Sequence, residues 1–150
     1  MKKSRICFMS LISVIMSVLC FSCKEEGADC DGCDFPKYVE YVESQTFYDS
    51  YTSYTGAKML IDTREVSKYE AGHLEGAVNL PTNIDNMSDD NVQWTQNLQS
   101  LCPDKSTCLF FYGTTTFQMT KEIASRALKL GYESPRIFSK GYDALKSEWK

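Results

Sequence analysis

The chain has 150 residues, 43% of them hydrophobic and 24% charged, enough for one globular core of ordinary size and little else. Its 20 acidic residues outnumber the 16 basic ones, for a net charge of −4, and no basic cluster interrupts the sequence. That balance repels phosphate backbones and argues against nucleic acid as a partner.

The first 22 residues read as an export signal rather than as part of the core. "MKKSR" is basic, and the 16 uncharged residues at 6–21 form an apolar run that Ser22 and Cys23 close. A small residue before a cysteine, at the border of apolar and polar sequence, has the layout of a bacterial lipoprotein. Cys23 would be the lipidated residue and the membrane a partner through that lipid; stable anchoring needs more than one acyl chain, which this modification supplies. An uncleaved apolar anchor is the competing reading, although the run is short of the about 20 residues a span requires. Both readings put the domain outside the cytoplasm on a membrane tether. Cleavage before Cys23 removes Lys2, Lys3 and Arg5, leaving 13 basic against 20 acidic residues, a net charge of −7. Residues 23–34 are charged and lack apolar periodicity, which predicts a flexible tether, with the folded domain over 35–150.

Within that domain the elements alternate. "KYVEYV" predicts a strand, and "SQTFYDSYTSYTG" a helix with Phe47, Tyr51 and Tyr54 on one face and Gly56 as its stop. At helical spacing such an aromatic stripe is a packing face rather than a ligand platform. "KMLID", "GAVNLP", "CLFFY" and "RIFS" predict further strands; helices are expected at 65–71, 89–101, 117–130 and from Gly141 to the C-terminus. Strands separated by helices imply an α/β fold whose parallel sheet is covered on both faces.

The stretch "LIDTREVSKYEAGHLEGAVNLP", residues 60–81, resembles the rhodanese-like domain family. Asp62, Arg64, Tyr69, Gly72, His73, Gly76, Ala77, Asn79 and Pro81 all fall in the family's order, and the likeness runs on through "LFFY", "LGY", "RIFSKGYDALK" and Trp149. It covers residues 36–150 and implies the family's three-layer fold, with a central parallel sheet of about five strands. Asp62 ends a strand where a carboxylate can accept N–H bonds from the following turn and pair with Arg64. Gly72 and Gly76 bracket a sharp turn. His73, the only histidine, invites assignment as a general base, but the motif implies that it holds the turn by hydrogen bonding.

Family members transfer sulfur through a cysteine placed after the central strand. Its thiolate sits in a cradle of backbone N–H groups at a helix N-terminus, which lowers its pKa and stabilises a persulfide. Here the resemblance puts Gly113 in that place, followed by Thr114, Thr115, Thr116, Phe117 and Gln118, a loop one residue longer than the common form and lacking its late arginine. Threonine hydroxyls cannot carry a persulfide. Cys108, five residues upstream, is about 16 Å away along a strand and cannot reach the cradle.

Four further cysteines, Cys30, Cys33, Cys102 and Cys108, are candidates for disulfides in an exported protein. "CDGC" is open to a structural bridge, a thiol-exchange or persulfide-carrying role, or half a metal site, although Asp29, Asp31 and Asp34 disfavour thiolate there. "CPDKSTC" is expected to close on itself, or one member to tie down the N-terminal segment. No cofactor or metal is expected. The leading expectation is a tethered module that binds a small anion or a protein through the 113–118 loop, without sulfurtransferase activity. The alternative is a thiosulfate-type sulfurtransferase or thiol relay using Cys30 and Cys33.

Overall fold

The computed structural model describes residues 38–82, 92–114 and 117–149, with the backbone alone at 117–121. The expected signal, tether, Cys23, Cys30, Cys33, Thr115 and Thr116, and the side chains of Phe117 and Gln118, lie outside the described residues. Five strands form the sheet: β1 (Val39–Tyr41), β2 (Lys58–Asp62), β3 (Ala77–Asn79), β4 (Cys108–Tyr112) and β5 (Arg136–Phe138). Their order is β1-β5-β4-β2-β3, and every pairing is parallel. Parallel neighbours need crossovers, and the helices supply them: α1 (Ser44–Ser53), α2 (Val66–Glu70), α3 (Val92–Leu101), α4 (Phe117–Lys129) and α5 (Tyr142–Leu145).

Strand β4 lies at the centre, and all five of its residues are buried. Its alternation sorts them between two cores. Leu109 and Phe111 join Ile61 with Trp94 and Leu98 of α3 and Ile123 and Ala127 of α4. Cys108, Phe110 and Tyr112 join Leu60 with Phe47 of α1 and Leu145 of α5. The sheet is therefore the middle of three layers, as the sequence implied. Phe47, Tyr51 and Tyr54 all pack on Phe110, with ring centroids at 5.7, 5.1 and 6.0 Å. Helix α1 stops at Ser53, where Lys58 Nζ donates to the carbonyls of Tyr51 and Tyr54 at 2.5 and 3.0 Å.

One expectation needs correction, and one alternative that the sequence left open is not found. The last helix ends at Leu145 rather than continuing to the C-terminus. Beyond it Trp149 turns onto α1, with its ring 5.1 Å from Tyr51 and its Nε1 donating to Glu75 O at 3.3 Å. Cys102 and Cys108 are free and do not bridge. They belong to cores on opposite faces of the sheet, where their thiols donate to Asp104 O and Ser134 O.

Candidate functional site

Strands β2, β3 and β4 finish level with one another, since Asp62 stands beside both Asn79 and Tyr112. From β2 the chain turns into α2, whose Tyr69 packs on one face, and from β4 into α4 on the other. Adjacent strands that leave for opposite faces open a crevice at their carboxyl ends, the usual ligand position in such sheets.

Backbone and side-chain bonds fix that crevice. Asp62 is fully buried and accepts from Arg64 N at 2.9 Å, from Nε at 3.0 Å and from Nη2 at 2.6 Å. Arg64 Nη2 also donates to Gly72 O at 2.7 Å, tying the end of β2 to the turn after α2. Burial works to lower the Arg64 pKa, but the bond and charge of Asp62, with smaller help from Tyr112 and Tyr142, leave it raised. The guanidinium stays charged and lies 3.7 Å from the centre of the Tyr142 ring. Asn79 Nδ2 donates to Asp62 O and Arg64 O at 3.0 and 2.9 Å, bracing the same turn. Tyr112 reaches across to accept from Leu74 N at 3.1 Å, and burial pushes its phenol well above the ordinary range.

Above this frame lies an open cleft of about 540 Å³. Arg64, Lys68 and Gly72 line it from the α2 side, Tyr142, Asp143 and Lys146 from α5, and Gly113 and Thr114 from the end of β4. Gly72 forms its wall without a side chain, and a Cβ there would press to 3.3 Å from the Tyr142 hydroxyl. Three cations face two carboxylates, Asp62 under Arg64 and Asp143 at 2.8 Å from Lys146, so the cleft is positive on a chain that is negative overall. At Gly113 the backbone is buried, and its carbonyl accepts from Tyr142 N at 2.9 Å.

The family model for the rhodanese-like domain matches residues 49–148. The chain belongs to the rhodanese-like domain family. Among solved structures this rhodanese-like domain is similar to an uncharacterized protein from Saccharomyces cerevisiae, with TM-score 0.54 and 20% identity over 73% of this chain and 92% of that one. It is similar to the Alr3790 protein from Anabaena sp., with TM-score 0.53 and 22% identity over 71% and 85%. The Saccharomyces cerevisiae single domain sulfurtransferase RDL2 aligns with TM-score 0.53 and 16% identity over 75% and 91%. At these identities the likeness is one of fold. No curated protein matches the sequence.

Of the residues singled out from sequence, Arg64, Gly72, Gly113 and Thr114 meet at the cleft, Asp62 lies buried beneath Arg64, and Gly76 and Asn79 shape the turn behind it. Gly76 has φ 80°, a conformation that glycine takes without strain. His73 is exposed and outside the cleft lining; its Nδ1 is 3.0 Å from Tyr69 O and its ring stacks on Tyr69 at 3.9 Å. Sequence reasoning passed over Thr63, Lys68, Tyr142 and Lys146. The signal for Lys146 was its acid-to-base spacing from Asp143 in "GYDALK", read only as part of the family likeness.

Proposed function

We propose that this rhodanese-like domain is a binding module that holds a small anion or an acidic group of a protein in the cleft and does not transfer sulfur. We further propose that it works outside the cytoplasm, tethered to a membrane through lipidated Cys23. The observation that carries the first reading is Gly113 at the end of the central strand, where the family resemblance calls for the thiolate. Among the described residues the only thiols are Cys102 and Cys108, both buried in the cores and bonded there to backbone carbonyls. A thiolate would itself neutralise the positive field of the α4 N-terminus; with glycine in its place that field is left for a ligand. Tethering rests on the N-terminal sequence alone, and no helix of the described residues is long and apolar enough to cross a membrane.

The test uses the full chain with thiosulfate and cyanide. Thiocyanate release should stay at the buffer rate, while thiosulfate at low ionic strength raises the melting temperature. Charge reversal at the cleft, Lys68→Glu with Lys146→Glu, should abolish that rise. Turnover above background overturns the reading; turnover that vanishes in Cys30→Ser/Cys33→Ser identifies a thiol relay instead.

A further inference from the structure

A guanidinium carries five N–H donors, and the fold takes up three of those on Arg64. Nε and one N–H of Nη2 go to Asp62 at 3.0 and 2.6 Å, and the second N–H of Nη2 goes to Gly72 O at 2.7 Å. The two N–H groups of Nη1 meet no acceptor among the described residues. Nor are they sealed away. Among those residues the buried side-chain nitrogens without a partner are Lys105 Nζ and Arg136 Nε, so Nη1 keeps its access although only 7% of Arg64 is exposed. Arg64 lines the cleft, and that access is into the cleft. The Tyr142 ring covers the flat face of the guanidinium at 3.7 Å, which leaves an edge-on approach to Nη1. A charged donor held this firmly loses little freedom on binding, so an acceptor placed against it gains more than it would from a mobile surface lysine.

Size and charge narrow the choice of acceptor. A cleft of about 540 Å³ has the dimensions of sites that enclose organic molecules, and an inorganic anion seated on Nη1 would leave most of it to water. The other two cations stand on separate walls, Lys68 on α2 and Lys146 on α5, an arrangement that suits several acidic groups spaced along one ligand. Lys68 makes no ion pair among the described residues, and Lys146 is held by exposed Asp143 alone. We propose that the cleft seats an acidic segment of another protein, with one Asp or Glu carboxylate accepting from Nη1 of Arg64 and further carboxylates drawn to Lys68 and Lys146. Arg64 then serves twice, holding the turn with three donors and the partner with two. The inference rests on the reading of the cleft as a binding site and adds the kind of partner and the atom that receives it.

The experiment uses the full chain, isotope-labelled at its arginine side chains, at low ionic strength. Three probes are titrated in turn: a capped peptide of alternating glutamate and glycine, its glutamine counterpart, and thiosulfate. Nuclear magnetic resonance follows the guanidinium signals, assigned through Arg64→Lys. The glutamate peptide should move the Arg64 signals and leave those of Arg126 and Arg136 in place, and the glutamine peptide should move none. Arg64→Lys should weaken the glutamate peptide by about tenfold or more; the signals of the unaltered chain carry the test if that variant does not fold. Asp143→Asn removes an exposed carboxylate that competes for Lys146, and should tighten the same peptide by about two- to fivefold. Glutamate peptide that binds without moving the Arg64 signals overturns the proposal, as does thiosulfate binding at least as tight as the peptide's, or an Asp143→Asn chain that binds the peptide no better. Failure of both thiosulfate and the peptide to bind would instead sink the reading of the cleft as a binding site, a result separable from the others.

Discussion

At the scale of single residues, the clearest energetic commitment is Asp62, a carboxylate with no solvent exposure beside an arginine that is 7% exposed. Neither charge is tolerable there alone. Together they satisfy three donors, the Arg64 backbone N–H, Nε and Nη2, and Nη2 also donates to Gly72 O in the turn beyond. Removing one partner of such a pair costs far more than replacing both, because the survivor is left desolvated. Asp62→Ala should lower unfolding free energy by about 3–5 kcal/mol, and adding Arg64→Met should return part of that loss. Urea midpoints for the two variants decide the matter, and equal losses would show that the ion pair is not the unit that counts.

Among the elements, α1 depends on one side chain more than on its own sequence. It has no side-chain cap at its N-terminus, and Phe47 is its one fully buried residue, packed against Phe110, Phe138 and Trp149 at 5.7, 5.5 and 6.2 Å. Phe47→Ala should cost about 3–5 kcal/mol in chemical denaturation, with loss of near-ultraviolet signal from the Trp149 cluster. The strands were legible because parallel strands buried on both faces read as short apolar runs between polar breaks; "KMLID" and "CLFFY" match β2 and β4 residue for residue. The early stop of α5 was not, since Ser147 and Glu148 do not forbid a helix and the contact of Trp149 with α1 joins residues far apart in sequence. Distance in sequence also hid the site. Asp62, Arg64 and Gly72 lie within one motif, but Tyr142 and Lys146 come to the cleft only because α5 packs back beside it. Thr63 meets Gly113 only through the register that sets Asp62 beside Tyr112. The placement of Cys102 and Cys108, whose pairing the sequence left open, was hidden for a related reason, because closeness along the chain says nothing about which face of a sheet each residue takes.

For the molecule as a whole, buried phenols should set an alkaline limit. Burial raises Tyr112 and Tyr132 above their ordinary value of 10.0, Tyr132 to about 12. The folded state therefore holds these protons more tightly than the unfolded chain does. Their contribution to stability is complete below the unfolded value of 10.0 and drains away as pH climbs through the folded values. Urea midpoints should be flat to about pH 9 and fall steeply beyond 10, with a shallower fall in Tyr132→Phe. A fall of the same slope in that variant would assign the alkaline limit elsewhere.

Every strand of this sheet runs the same way. The polypeptide joins the sheet at Val39, where strands begin, and the opening lies where they finish. The domain thus has two poles, with the entry of the chain into the sheet at one and the cleft at the other.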